Sequence, residues 1–273
     1  MGPDLLIAVA TPMEVASFLA LSTVTHRRTM PGGIPVITAR LGPIRFQVII
    51  TGPGMVNTAL ALGSHLGHHR PQLIIQTGIA GFFHEKGLSM GGIGLATAET
   101  NIHCGVENPE QGGHLHPLPF SLTGTPMEGS DGQLAMHPGL IDTARRQITQ
   151  RFFSGRVLPG INPLKMSYPP ACPVVTGPFI TVSTITARQT TVARLSRTYT
   201  PVMEAMEGMA AAQVACRYGV PFLEIRSGSN PVGTRNKADW DIPLAVKRIA
   251  MSLAALFDSG EPFWTHITPR NPS

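Results

Sequence analysis

Short apolar blocks alternate with longer amphipathic stretches along this chain, and Gly and Pro punctuate the joins. Residues 5–10, LLIAVA, form a continuous apolar run ended by Thr11-Pro12, as expected of a strand buried on both faces. A helix is predicted from there to about Leu21. Residues 34–41 and 44–51 predict two strands joined at Gly42-Pro43 as a hairpin. Gly52-Pro53-Gly54 opens a helix to about His68, and residues 73–77 give the next buried strand, ending in Gly78-Ile79-Ala80-Gly81. Strands are also predicted over 93–98, 174–184 and 222–227, and helices over 140–153, 203–218 and 242–257. The stretches 109–138 and 155–173 lack periodicity and are rich in Pro with Gly or Ser, so they are expected as an insertion and a long loop. A loosely held tail is expected from about residue 260. Strands alternating with helices, with one early hairpin and no dividing linker, predict a single three-layer αβα domain over 1–273 around a mixed central sheet.

Composition narrows the partners. Hydrophobic residues make up 42% of the 273 and charged residues 14%, enough for a sizeable core and against disorder. The net charge is +5, but Arg and Lys are scattered and aromatics reach only 6%, so the basic stripe of a nucleic-acid binder is missing. A soluble enzyme meeting a small acidic molecule accounts for the charge equally well. Cys104, Cys172 and Cys216 stand far apart with no CxxC pair, which predicts neither a zinc site nor a disulfide framework and suits a reducing cytoplasm. The first apolar run is short and lacks a basic flank, so neither a signal peptide nor a membrane span is expected.

Several side chains are candidates for chemistry. Glu14 follows Thr11-Pro12-Met13, a spacing that makes a capping box and also puts a carboxylate at the C-terminal edge of the first strand. The glycines of Gly52-Pro53-Gly54 suggest a close backbone approach or a tight turn. They do not make a P-loop, although a helix N-terminus there favours an anion. Glu207 stands between Met206 and Gly208, ahead of a nearly uncharged helix of small residues. A carboxylate in that setting must be paired or hydrogen-bonded. Asn230 ends a predicted strand in a Ser/Gly turn, where open α/β sheets bind ligands, though Asn is also an ordinary turn residue. Asp241 before Ile242-Pro243 has the position of a helix cap. His65, His68 and His69 read as a solvated helix end, since no third ligand accompanies the i, i+4 pair. No GxSxG elbow occurs.

The stretch from Met206 to Pro243, with Met206-Glu207-Gly208, FLEIR, Ser229-Asn230 and WDIP in order, resembles the nucleoside phosphorylase and hydrolase superfamily, and within it the futalosine hydrolases. The resemblance covers almost the whole chain apart from the insertion and the segment before Pro173. It implies an N-glycosyl hydrolase that releases hypoxanthine from futalosine in a route to menaquinone. No metal or organic cofactor is implied, the partner is a nucleoside, and homo-oligomers are expected. By resemblance, Glu14 activates water, Met206 packs on the ribose, Glu207 accepts from its hydroxyls and Asn230 steadies the departing base. An Asn NH2 group suits the acceptors N7 and O6 of a 6-oxopurine and suits adenine poorly. The loop Gly78-Ile79-Ala80 lines the substrate, and Ile79 stands where relatives often have a Ser, which favours water over phosphate as nucleophile. Phe179 is a candidate to stack on the purine, with Phe82, Phe83 and Phe120 also open. Arg235 is a candidate partner for a substrate carboxylate, and Trp240 either lines the substrate or anchors the core. The alternatives are a methylthioadenosine/S-adenosylhomocysteine nucleosidase, a purine nucleoside phosphorylase, and a non-catalytic nucleoside-binding protein on the same fold.

Overall fold

The computed structural model describes residues 5–108, 115–154, 172–257 and 262–264. In chain order the main elements are β1 (Leu5–Val9), α1 (Pro12–Leu19), β2 (Thr23–Met30), β3 (Ile34–Leu41), β4 (Ile44–Ile50), α2 (Met55–Leu66), β5 (Leu73–Phe82) and β6 (Ile93–Asn101). Three two-residue strands follow, β7 (Val106–Glu107), β8 (Leu115–His116) and β9 (Leu134–Ala135), then α3 (Pro138–Ser154). The chain continues with β10 (Val174–Thr181), α4 (Gln189–Tyr199), β11 (Met203–Ala205), α5 (Gly208–Arg217), β12 (Phe222–Pro231) and α6 (Ile242–Leu256).

The large sheet runs β11-β10-β6-β12-β5-β1-β4-β3-β2. It is mixed, as expected. β1 is parallel to both β4 and β5, β12 is parallel to β5 and antiparallel to β6, and β2, β3 and β4 form an antiparallel meander. All five residues of β1 are buried, the pattern of a strand covered on both faces. Because β11 pairs with β5 as well as β10, the strands β5, β12, β6, β10 and β11 close on themselves. Helices α1, α3 and α6 pack together as one group and α2 packs on α5, so sheet and helices make the predicted layers of one α/β domain. Phe18, Phe46 and Phe257 meet at centroid distances of 5.2–5.6 Å and tie α1, β4 and the end of α6 into one core.

Several expectations are corrected. β2 and α4 are absent from the sequence reading: β2 is a mostly exposed polar edge strand, and only Leu195 of α4 is buried, so neither has a readable apolar stripe. Residues 203–205 form a strand and not the start of a helix, because Met203 and Glu204 complete the closed set of strands. The described part of the 109–138 insertion is ordered around one carboxylate. Glu128 accepts from Ser121 Oγ, Leu122 N, Thr123 N and Thr123 Oγ1, which holds its pKa down at about 2. That turn docks on α5 through Thr125 Oγ1 and Cys216 Sγ (2.9 Å) and through an Arg217 hydrogen bond to Leu122 O. The 155–171 part of the expected loop lies outside the described residues, as does most of the tail. Phe263 and Trp264, however, are buried against the core, with Trp264 Nε1 donating to Gln72. His65 is buried and not solvated, on the side of α2 that carries Leu62 and Leu66.

Candidate active site

The site is built where β1, β5 and β12 end together. Glu14 sits in the first turn of α1 and is buried. Its Oε2 accepts from the backbone N–H (2.8 Å) and hydroxyl (3.0 Å) of Thr11, so the capping role read from the sequence is real. Its Oε1 accepts from Ile79 N at 3.0 Å, which ties the start of α1 to the C-terminal part of β5. Gly78 beside it has φ +146°, and a Cβ there would lie 2.4 Å from Glu14 Oε1 and 3.0 Å from Arg226 Nη1. Only glycine combines that backbone with that absence of bulk. The carboxylate and the guanidinium therefore converge over a bare backbone.

Glu207 is the residue immediately before α5, buried like Glu14. Its Oε1 accepts from Gly54 N at 2.9 Å, and its Oε2 accepts from Arg226 Nη2 at 3.0 Å. The anion anticipated at the N-terminus of α2 is thus a side chain of this chain. Gly54 has φ +90°, a left-handed-side conformation that aims its N–H at the carboxylate. Each oxygen of Glu207 keeps a lone pair for another donor.

Arg226 links the carboxylates. It is 1% exposed, and its Nε donates to Glu224 Oε1 at 2.8 Å while Nη2 reaches Glu207. Burial opposes its charge, but the surrounding Glu224, Glu207 and Glu14 override that and raise its pKa above the usual arginine value. Glu224 and Arg226 stand two apart on β12, so their side chains leave the same face. Behind them, Glu99 of β6 is fully buried with its Oε2 accepting from Thr181 Oγ1 at 2.6 Å. Glu99 Oε1 and Glu224 Oε2 both face the space under Gly208, where a Cβ would lie 2.2 Å and 2.4 Å from them. Burial first, and the charge of Glu224 second, push the Glu99 pKa well above the usual carboxylate range. The shift favours the protonated form of Glu99 beside Glu224, while Thr181 Oγ1 takes the N–H of Met209 at 2.8 Å and fixes the first turn of α5.

Asn230, the last residue but one of β12, lies opposite Gly81, past a bulge that follows Gly228. Its Oδ1 accepts from Ser229 Oγ at 2.8 Å, which fixes the amide with its NH2 outward. One of the two NH2 hydrogens goes to Pro231 O (3.1 Å), so a single donor is left, not the pair expected from the sequence. Ala80 is buried in the neighbouring strand, with its carbonyl 3.2 Å from the same Ser229 Oγ as a second, longer acceptor of its one hydrogen. Met206 packs on a small apolar cluster that includes Phe83, Ile180 and Val182.

Other candidates sit differently. Phe179 is fully buried, and the Cβ that Gly94 lacks would press on its ring and on Met203. A ring with no exposed surface has no face to offer a base, so Phe179 is a core residue. The Arg235 guanidinium lies 5.3 Å over the Trp240 ring, and Trp240 Nε1 donates to Thr234 O. Both therefore brace the loop after β12. Asp241 caps α6, accepting from Leu244 N. Among the described residues, no group of three His, Cys, Asp or Glu side chains could hold a metal ion, and no helix is long and apolar enough to cross a membrane.

Arg226 and Glu224, and Glu99 behind them, were missed in the sequence. The signal was in FLEIR: a Glu and an Arg two apart in an otherwise apolar strand must be neutralised inside the protein.

The model of the phosphorylase superfamily matches residues 4–258. The chain belongs to this superfamily. A futalosine hydrolase of Acidothermus cellulolyticus is 32% identical over 212 residues, 77% of this chain and 74% of that protein. The native structure of futalosine hydrolase from Helicobacter pylori superposes with a TM-score of 0.74 at 17% identity, covering 95% of this chain and 99% of the other. A methylthioadenosine/S-adenosylhomocysteine nucleosidase from Neisseria meningitidis, in complex with methylthio-immucillin-A, gives 0.72 at 20% identity, covering 93% and 98%. At such identities the two structures establish the shared fold, whereas the sequence relative establishes the family. The expectation of an enzyme that breaks N-glycosidic bonds holds at this level.

Proposed function

We propose that this enzyme hydrolyses the N-glycosidic bond of futalosine, releasing hypoxanthine and dehypoxanthinyl futalosine, a step in a route to menaquinone. The observation that carries the reading is the engagement of Ile79 N and Gly54 N by Glu14 and Glu207. Backbone N–H groups at such turns are what a phosphate nucleophile needs. Here they already hold carboxylates, which would repel a phosphate and leave water as the attacking group.

In the proposed mechanism Glu14 takes a proton from the water that attacks C1′. Glu207 accepts from the ribose hydroxyls with its remaining lone pairs and lies close to the positive charge that develops on the sugar. Arg226 pairs with Glu207, faces Glu14 and holds the two carboxylates in place. Asn230 hydrogen-bonds the departing base through its free N–H, and solvent supplies the proton that makes it neutral hypoxanthine. The choice of futalosine rests on the sequence relatives and on Asn230 as a donor toward a 6-oxopurine.

The test is chromatography of the base freed from futalosine and, separately, from methylthioadenosine, with and without phosphate. Hypoxanthine released without phosphate is the expected result. Adenine alone would transfer the enzyme to the adenine-cleaving nucleosidases, and a strict need for phosphate would make it a phosphorylase. No turnover of either compound would leave a binding protein.

A further inference from the structure

Glu207 closes a ring of contacts that runs through three strands and back to its own helix. Its Oε2 accepts from Arg226 Nη2 at 3.0 Å, and Arg226 Nε donates to Glu224 Oε1 at 2.8 Å. Glu224 Oε2 and Glu99 Oε1 converge beneath Gly208, 2.4 Å and 2.2 Å from the point where its Cβ would be. Glu99 Oε2 accepts from Thr181 Oγ1, and that hydroxyl accepts from Met209 N, two residues after Glu207. The side chains of the ring are buried, so water does not compete for these contacts. Glu99 and Glu224 touch neither the end of β1 nor Asn230, yet they are tied to the carboxylate that the reaction uses.

The guanidinium stands between two carboxylates with assigned work. Nη2 holds Glu207, while Nη1 lies beside Glu14: the Cβ that Gly78 lacks would be 3.0 Å from Nη1 and 2.4 Å from Glu14 Oε1. An arginine free to turn presents a two-pronged edge to one carboxylate at a time. Holding Nε sets the plane of the group. It commits Nη2 to Glu207 and leaves Glu14 to the backbone N–H groups of Thr11 and Ile79. The holder of Nε is Glu224.

Glu224 can serve as an anchor only if its second oxygen is held as well. Two ionised carboxylates crowding one point repel, whereas one proton between them makes a hydrogen bond. Arg226 sits on Glu224 and stabilises its negative form, so the proton belongs on Glu99. The titratable groups that act on Glu99 are Glu224 and Arg226, both of β12. From the other elements packed on it, β10 presents Thr181 and α5 the backbone at Gly208 and Met209.

We propose that Glu224 is a positioning residue for the reaction: braced by a protonated Glu99, it fixes the Arg226 guanidinium so that Glu207 faces the ribose hydroxyls and Glu14 stays free to take its proton. The assignment rests on the nucleosidase reading above and names what aims its two carboxylates.

Kinetics and structure test it with four variants. Glu224→Leu removes the anchor, and Glu224→Gln keeps an oxygen for Arg226 Nε. Glu99→Leu removes the brace, and Glu99→Gln replaces its O–H with an N–H. For each, kcat/KM is measured on futalosine and on its 2′-deoxy analogue, which lacks one of the hydroxyls assigned to Glu207. Wild type is expected to favour the ribonucleoside by about tenfold or more. Both Leu variants are expected to lose most of that preference, with kcat on futalosine down at least about tenfold, and both Gln variants to keep it. A crystal structure of Glu224→Leu is expected to show Arg226 Nη2 withdrawn from Glu207. Leu variants that slow both substrates alike, Gln variants no better than Leu, or Arg226 still bonded to Glu207 in Glu224→Leu each overturn the assignment. Should Glu224→Leu fail to fold, Glu99→Leu carries both measurements. If wild type released no hypoxanthine from futalosine, the substrate reading would fall, and the crystal structure would still decide whether Glu224 sets Arg226.

Discussion

Arg226 Nη2 and Glu207 Oε2 meet at 3.0 Å in a place that solvent barely reaches. That guanidinium also holds Glu224 and faces Glu14, so one cation organises three carboxylates drawn from three separate segments. Substituting Arg226→Gln strands buried negative charge and is expected to cost about 3–5 kcal/mol in urea unfolding. Arg226→Lys keeps the charge but loses the planar fork. It is expected to retain most of the stability while kcat falls by about tenfold or more, measured by release of the base.

Gly78→Ala places a methyl group where Glu14 Oε1 and Arg226 Nη1 converge, on a backbone that L-residues avoid. The carboxylate has to move by about an ångström, which is worth about a 100-fold loss of kcat. KM is expected to change far less. A variant with wild-type kcat would remove Glu14 from the proposed proton transfer.

Glu99 gives a pH signature. Its pKa is higher in the folded protein than in the unfolded chain, so the native state binds the extra proton. The resulting stabilisation is complete below about pH 4.5 and is lost as pH rises through the folded value. Glu99→Gln supplies a neutral partner to Glu224 at every pH. Its unfolding free energy is therefore expected to decline less than that of wild type as pH increases. Parallel curves for the two proteins would mean that Glu99 takes up no extra proton on folding.

His65 acts at the other end of the scale. Burial first, then the charge of Arg28, lowers its pKa from 6.5 to about 4, and neither ring nitrogen has a hydrogen-bond partner among the described residues. The unfolded chain therefore takes up the proton first, and stability present above pH 6.5 is lost as pH falls toward 4. The full effect is about 3 kcal/mol. His65→Leu, which fills the same apolar site, is expected to flatten the acid limb of the pH–stability curve between those two values.

Sequence reading was most successful where one residue type carries the physics. β1, β4 and α6 were legible because an apolar run or stripe reports burial directly. Glu14 and Glu207 were legible as candidates because a carboxylate amid apolar neighbours demands a partner. The partner itself was not legible, since Arg226 reaches Glu207 across nineteen positions and Gly54 reaches it across 153. β2 and α4 carry too little buried side chain to leave a pattern. The short β11 was hidden because its role is to join two distant strands, and a three-residue strand has no period. His65 was misread since spacing along a helix says which residues share a face and not which face is covered.

The engagement of Gly54 and Ile79 by glutamates has a bearing on physiology. An enzyme whose cradle is filled by its own polypeptide recruits nothing ionic from the surrounding fluid before each turnover. On this reading its rate follows nucleoside supply alone, and swings in the cell's inorganic phosphate pass it by.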